Sequence, residues 1–292
     1  MKGMFFGTGT AIVTPFRSGK VDFDAFERLI TRQMKAKADA IIVAGTTGEA
    51  STLTDSEKTD LVMCAKDKTA GKMPIIAGAG SNNTSFAVQN AKAMEKAGAD
   101  AILCVTPYYN LSSQPGLIQH FTSVADALSI PLILYNVPTR TGVSLEAETA
   151  AQLFKHPRIP GVKEAANDFS KAERMTRLSL DGAYVYSGND LMTVSLMALG
   201  ACGVISVVSN AVPERMVKVT RACLSGDFDQ ARQENADLFP LMDLMKLDIN
   251  PIPIKAVLSV MGLIQNELRL PLTPISSENM KKIEAALEHL PV

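Results

Sequence analysis

The chain alternates short apolar runs with amphipathic stretches, and this constrains its fold more than any other feature. Runs at 9–15, 40–44, 74–78, 101–105, 131–135, 159–163, 184–187 and 203–207 read as strands. Stretches at 24–37, 56–67, 84–97, 117–128, 146–154, 170–180, 191–199 and 213–225 read as helices. The first helix puts Phe26, Leu29, Ile30 and Met34 on one face, the spacing an α-helix needs. Thr84 is expected to cap the third helix and Gly98 to stop it. The runs are almost wholly apolar, as suits parallel strands buried on both faces. Eight such units predict an α/β fold, a (β/α)8 barrel over residues 1–226, with an open doubly wound sheet as the alternative. Residues 227–292 lack strand-like alternation. They predict about three helices, broken at 250–253 and 271–274, as a C-terminal helical appendage.

Composition narrows the function classes. Of 292 residues, 47% are hydrophobic and 20% charged, which is a globular composition. A formal net charge of -1 argues against a nucleic-acid or anionic-membrane surface. No apolar run reaches the roughly 18–20 residues of a membrane span. The segment 1–6 lacks the apolar region of a secretory leader, so a cytoplasmic location is expected. Cys64, Cys104, Cys202 and Cys223 show no C-x-x-C spacing and read as reduced, mostly buried thiols. His120, His156 and His289 are scattered, which predicts surface or helix-end residues and no metal site.

In a parallel barrel, chemistry sits where the strands end. The sixth run ends in Lys163. Burial strips hydration from an ammonium and favours the neutral amine, a nucleophile toward carbonyls. The competing reading is a lysine that snorkels into solvent. Gly45-Thr46-Thr47-Gly48-Glu49 follows the second run. It is either a turn whose N–H groups and hydroxyls hold a carboxylate, or a plain turn whose threonines satisfy local backbone. Tyr108-Tyr109 after the fourth run suits proton relay or interface packing. Tyr135 ends the fifth run, and Arg140 stands in the loop beyond it. That arginine either forks onto a carboxylate or bonds backbone carbonyls. Ser187-Gly188-Asn189-Asp190 ends the seventh run with a glycine that lets backbone approach a ligand or simply turns. One lysine, tyrosines, threonines, an arginine and no cofactor motif suit amine-based chemistry on a small oxo acid.

Taken in order, these motifs resemble the dihydrodipicolinate synthase family, also called 4-hydroxy-tetrahydrodipicolinate synthases. Gly161-Val162-Lys163-Glu164-Ala165, Gly203-Val204-Ile205-Ser206-Val207, Asn250-Pro251-Ile252-Pro253 and Leu268-Arg269-Leu270-Pro271 extend the resemblance over nearly the whole chain. The resemblance implies a Schiff base between Lys163 and pyruvate. It implies a proton relay of Tyr135, Thr46 and Tyr109, the last reaching into a neighbouring subunit. Thr47 would hold the pyruvate carboxylate, and Arg140 that of aspartate 4-semialdehyde. Gly188 and Ile205 would line the pyruvate pocket. The resemblance also implies a homotetramer built as a dimer of dimers, with no metal or redox cofactor. Related Schiff-base lyases acting on N-acetylneuraminate or 2-keto-3-deoxy sugar acids share Lys163 and Tyr135, but as a class lack an arginine at the Arg140 position. Lysine-inhibited members of the family often carry a histidine and a glutamate where this chain resembles them with Lys58 and Phe86. Asn82 and Tyr108 fit that inhibitor pattern. Weak or absent inhibition by L-lysine is therefore expected.

Overall fold

A computed structural model describes residues 3–288 of the chain. Eight strands form a closed, wholly parallel barrel in sequence order. They are β1 (Gly7–Ala11), β2 (Ala40–Val43), β3 (Ile75–Gly78), β4 (Ala101–Val105), β5 (Leu132–Asn136), β6 (Gly161–Glu164), β7 (Tyr184–Ser187) and β8 (Gly203–Ser206). Closure comes from β1, which pairs with both β2 and β8. The main helix after each strand is α1 (Phe23–Lys35), α2 (Asp55–Thr69), α3 (Thr84–Lys96), α4 (Gln114–Asp126), α5 (Ala147–Leu153), α6 (Phe169–Thr176), α7 (Thr193–Ala198) and α8 (Pro213–Leu224). The (β/α)8 barrel expected from the alternation is the architecture observed. Among the described residues, no helix is long and apolar enough to cross a membrane.

Period-two geometry sorts each strand between two cores. On β5, Leu132 and Leu134 pack outward against the helices, while Ile133 and Tyr135 join the lumen cluster. On β6, Val162 faces outward with them. Register places Tyr135 beside Lys163, which therefore shares the lumen face. Phe5 and Tyr186 stack at 4.4 Å within the same cluster. The Tyr186 hydroxyl donates to the Phe5 carbonyl at 3.0 Å and accepts from its N–H at 3.1 Å. The lumen is thus a packed core whose chemistry is confined to the strand ends.

Several local expectations shift. The first strand spans Gly7–Ala11 and does not reach Pro15. Beyond it Phe16–Arg17 pairs antiparallel with Lys20–Val21. The third helix is capped by Asn83, not Thr84, because the Asn83 side chain accepts from the N–H groups of Ser85 and Phe86. Lys163 does not end its strand; Glu164 follows it, still paired with Asn136. His120 is buried between α3 and α4, with Nδ1 2.9 Å from Thr84 Oγ1, and burial lowers its pKa. His156 lies 3.1 Å from Asp126, and His289 lies outside the described residues. Among the described residues, four helices follow residue 227: α9 (Phe228–Ala236), α10 (Phe239–Leu244), α11 (Ile252–Val260) and α12 (Ser277–Leu287). Pro240 splits the first expected helix in two, since proline fits a first turn but not a helix interior. All four cysteines are free thiols, and burial raises the Cys104 thiol to about 12.

Candidate active site

Thr46, Tyr135 and Arg140 share the wall of one cavity of about 540 Å³ at the carboxyl ends of the strands. Lys163, 6% exposed, reaches toward it from β6, with its Nζ 4.4 Å from the centre of the Tyr135 ring. The lysine therefore does not snorkel into solvent. Gly188 closes the space beside it. A Cβ there would fall 2.5 Å from Ala165 Cβ, 2.9 Å from the Glu164 carbonyl oxygen and 3.0 Å from Lys163 Cε. Ile205 belongs to the same lumen cluster as Tyr135.

On the outer side of these two strands, Asn136 Nδ2 donates to Glu164 Oε2 at 2.8 Å. The bond fastens β5 to β6 directly behind Tyr135 and Lys163. Burial raises the Glu164 pKa, while the Asn136 hydrogen bond pulls it down. Asp190 does the same work one strand further on. Its Oδ2 accepts from Val207 N at 2.9 Å and Val208 N at 3.2 Å, tying the end of β7 to that of β8. Burial raises its pKa too, opposed by hydrogen bonds from Ser206, Val207 and Val208 and by the Lys163 charge.

Three expected residues, Thr47, Arg140 and Tyr109, need separate description. Thr47 is 3% exposed, and its Oγ1 accepts from Asn250 Nδ2 at 3.0 Å. Arg140 is exposed on a short helical turn (Pro138–Thr141), and its Nη2 donates to the Asn250 carbonyl at 3.0 Å. It bonds backbone, as one of the two readings had it, and keeps further guanidinium N–H groups for a ligand. Tyr109 is not brought to the cavity in a single chain. It has φ +75° and is 89% exposed, next to exposed Tyr108 and Leu111.

Three groups behind this site were given no role by the sequence reading. Lys255 Nζ, on α11, lies 2.5 Å from Glu49 Oε1 with both side chains fully buried. It also donates to the Thr14 carbonyl at 3.0 Å and stands 4.3 Å over the Phe16 ring. Arg269 N donates to Glu49 Oε2 at 3.1 Å. Asn250 completes the set. The sequence signals were the Glu49 that closes a Gly-rich turn, the Asn-Pro that breaks the C-terminal helices and the Leu268-Arg269-Leu270-Pro271 motif.

The dihydrodipicolinate synthetase family model matches residues 4–290. A 4-hydroxy-tetrahydrodipicolinate synthase of Exiguobacterium sibiricum is 47% identical over 98% of this chain and 96% of its own. A crystal structure of dihydrodipicolinate synthase from Thermotoga maritima superposes with TM-score 0.96 at 41% identity, covering 98% of each chain. A third relative is the chloride-inhibited dihydrodipicolinate synthase of Acinetobacter baumannii, solved in complex with pyruvate. It superposes with TM-score 0.95 at 40% identity, covering 98% of each chain. Fold and site define a barrel lyase with a buried amine at the strand ends. The chain belongs to the dihydrodipicolinate synthetase family.

Proposed function

We infer that the protein condenses pyruvate with L-aspartate 4-semialdehyde, giving 4-hydroxy-tetrahydrodipicolinate on the diaminopimelate route to lysine. The observation that carries this is a buried Lys163 amine beside Tyr135, next to a cavity walled by Thr46 and Arg140. The names of close, full-length relatives and the pyruvate complex of one of them support it. The Lys163 amine adds to C2 of pyruvate, water leaves, and an iminium forms. Loss of a C3 proton gives the enamine, whose carbon attacks the aldehyde of the second substrate. The amine of that substrate then attacks the iminium carbon, closes the ring and frees Lys163.

Tyr135, Thr46 and a partner's copy of Tyr109 carry the protons in this reading. Thr47 holds the pyruvate carboxylate, Arg140 holds that of the semialdehyde, and Gly188 and Ile205 shape the keto-acid pocket. The protein works as a cytoplasmic homotetramer, a dimer of dimers, with residues 1–226 as the catalytic barrel and 227–292 as its helical appendage. Exposed Phe86, Tyr108, Tyr109 and Leu111 make an apolar edge suited to covering by a second copy.

Borohydride reduction in the presence of pyruvate tests the chemistry. A reduced adduct on the Lys163 peptide, together with turnover of the semialdehyde, is expected. An adduct without that turnover moves the reading to the sugar-acid lyases, and no adduct removes it. L-lysine is expected to inhibit weakly or not at all, because Lys58 at the position of the inhibitor pattern carries a cation like the ligand's own, while Phe86 offers the ligand's amines no carboxylate. Inhibition by low L-lysine in a steady-state assay contradicts this.

A further inference from the structure

We propose that Asn250 is a positioning residue for the keto acid: its side-chain amide sets the Thr47 hydroxyl as a donor toward the pyruvate carboxylate. This rests on the role given above to Thr47. A hydroxyl has one proton to give and two lone pairs to accept with. Asn250 Nδ2 donates to Thr47 Oγ1 at 3.0 Å, which occupies one lone pair and leaves the proton for a ligand. An accepted hydrogen bond also polarises the hydroxyl that accepts it. The orientation comes at a cost within the free protein, because Asn250 Oδ1 is buried with no hydrogen-bond partner. A buried acceptor left unpaired asks for a reason, and holding Nδ2 toward Thr47 supplies one.

Asn250 can hold this line because its neighbourhood is fixed on both sides. It stands just before α11, where Lys255 is paired with Glu49. Glu49 lies two residues beyond Thr47, and Lys255 lies five beyond Asn250. The two chain segments are therefore clamped at two nearby points. The Asn250 carbonyl also takes one N–H of Arg140, so the same residue touches both carboxylate-holding side chains. Only the Thr47 contact depends on its side chain. Replacing that side chain should therefore affect one substrate and not the other.

The test compares Asn250→Ala, Asn250→Asp, Thr47→Val and the two double variants, with kcat/KM measured separately for pyruvate and for the semialdehyde. Asn250→Ala is expected to lower kcat/KM for pyruvate about tenfold, the upper end of what one lost neutral hydrogen bond is worth. The value for the semialdehyde should stay within about threefold, well short of that loss. Asn250→Asp, nearly isosteric, should be worse for pyruvate, since a carboxylate takes the Thr47 proton and adds repulsion. In the Thr47→Val background, Asn250→Ala should have no further effect on pyruvate. Equal losses for both substrates, or effects of Asn250→Ala and Thr47→Val that simply add, would overturn the proposal. Should Thr47→Val alone leave pyruvate kinetics unchanged, the role of Thr47 fails first and this proposal falls with it.

Discussion

Gly188 shows how tightly the lysine is housed. Its N–H donates to the Glu164 carbonyl at 2.6 Å, so the chain leaving β7 stays close beside the end of β6. A methyl group there meets two atoms that cannot yield, Ala165 Cβ and the Glu164 carbonyl, and one that can, Lys163 Cε. Gly188→Ala should therefore displace the amine. We expect pyruvate adduct formation on Lys163 to slow by about tenfold or more, as 1–3 kcal/mol of overpacking implies. Rapid borohydride quenching would measure it, and an unchanged rate would show that the amine has room to spare. At this scale the sequence reads well where a residue stands at the end of an apolar run. Lys163 and Tyr135 were legible because each closes such a run, where a parallel barrel keeps its chemistry, while the lumen face they share came from the register. Thr47 was legible as a hydroxyl on a turn, but not in its direction, which a residue 203 positions away decides.

Helix α11 is the element that ties the appendage to the chemistry. Ile252 through Leu258 are all buried, an apolar surface all round that only a docked helix can afford. Lys255 is the single charge among them, and its pair with Glu49 fixes the turn that carries Thr46 and Thr47. Lys255→Met leaves the Glu49 carboxylate buried without its cation. That should lower unfolding stability by about 3–5 kcal/mol, whereas adding Glu49→Leu should restore much of the loss. Denaturant titration of the two variants separates these outcomes, and a single variant as stable as the parent would show that the pair is dispensable. The sequence marked the breaks around this helix through Asn250-Pro251 and Pro271 but miscounted the appendage, because Pro240 reads as a break only once the chain bends there. The cap of α3 was misread for a related reason. Asn83 and Thr84 are both good caps, and only backbone geometry decides which side chain meets the free N–H groups.

At the scale of the whole molecule, Tyr109 points beyond a single chain. Its ring is exposed and its backbone left-handed, an arrangement that costs a non-glycine residue energy and asks for a partner. If the ring completes a neighbour's relay, then mixing inactive Tyr109→Phe with inactive Lys163→Ala subunits should restore part of the activity. Each mixed pair would then contain one site with an intact lysine and a partner's intact tyrosine. Mixed oligomers that stay inactive would confine Tyr109 to packing. The amino-acid sequence by itself determined the alternation, the eight βα units and the place of the amine near the end of the sixth strand. These follow from short-range periodicity, which any few consecutive residues reveal. Only the tertiary structure decided that Asn250 meets Thr47, that Lys255 meets Glu49 and that Arg140 meets Asn250. Those contacts join residues 110 to 206 positions apart, and they exist because barrel closure and the docking of α11 bring distant segments together, which no local pattern records.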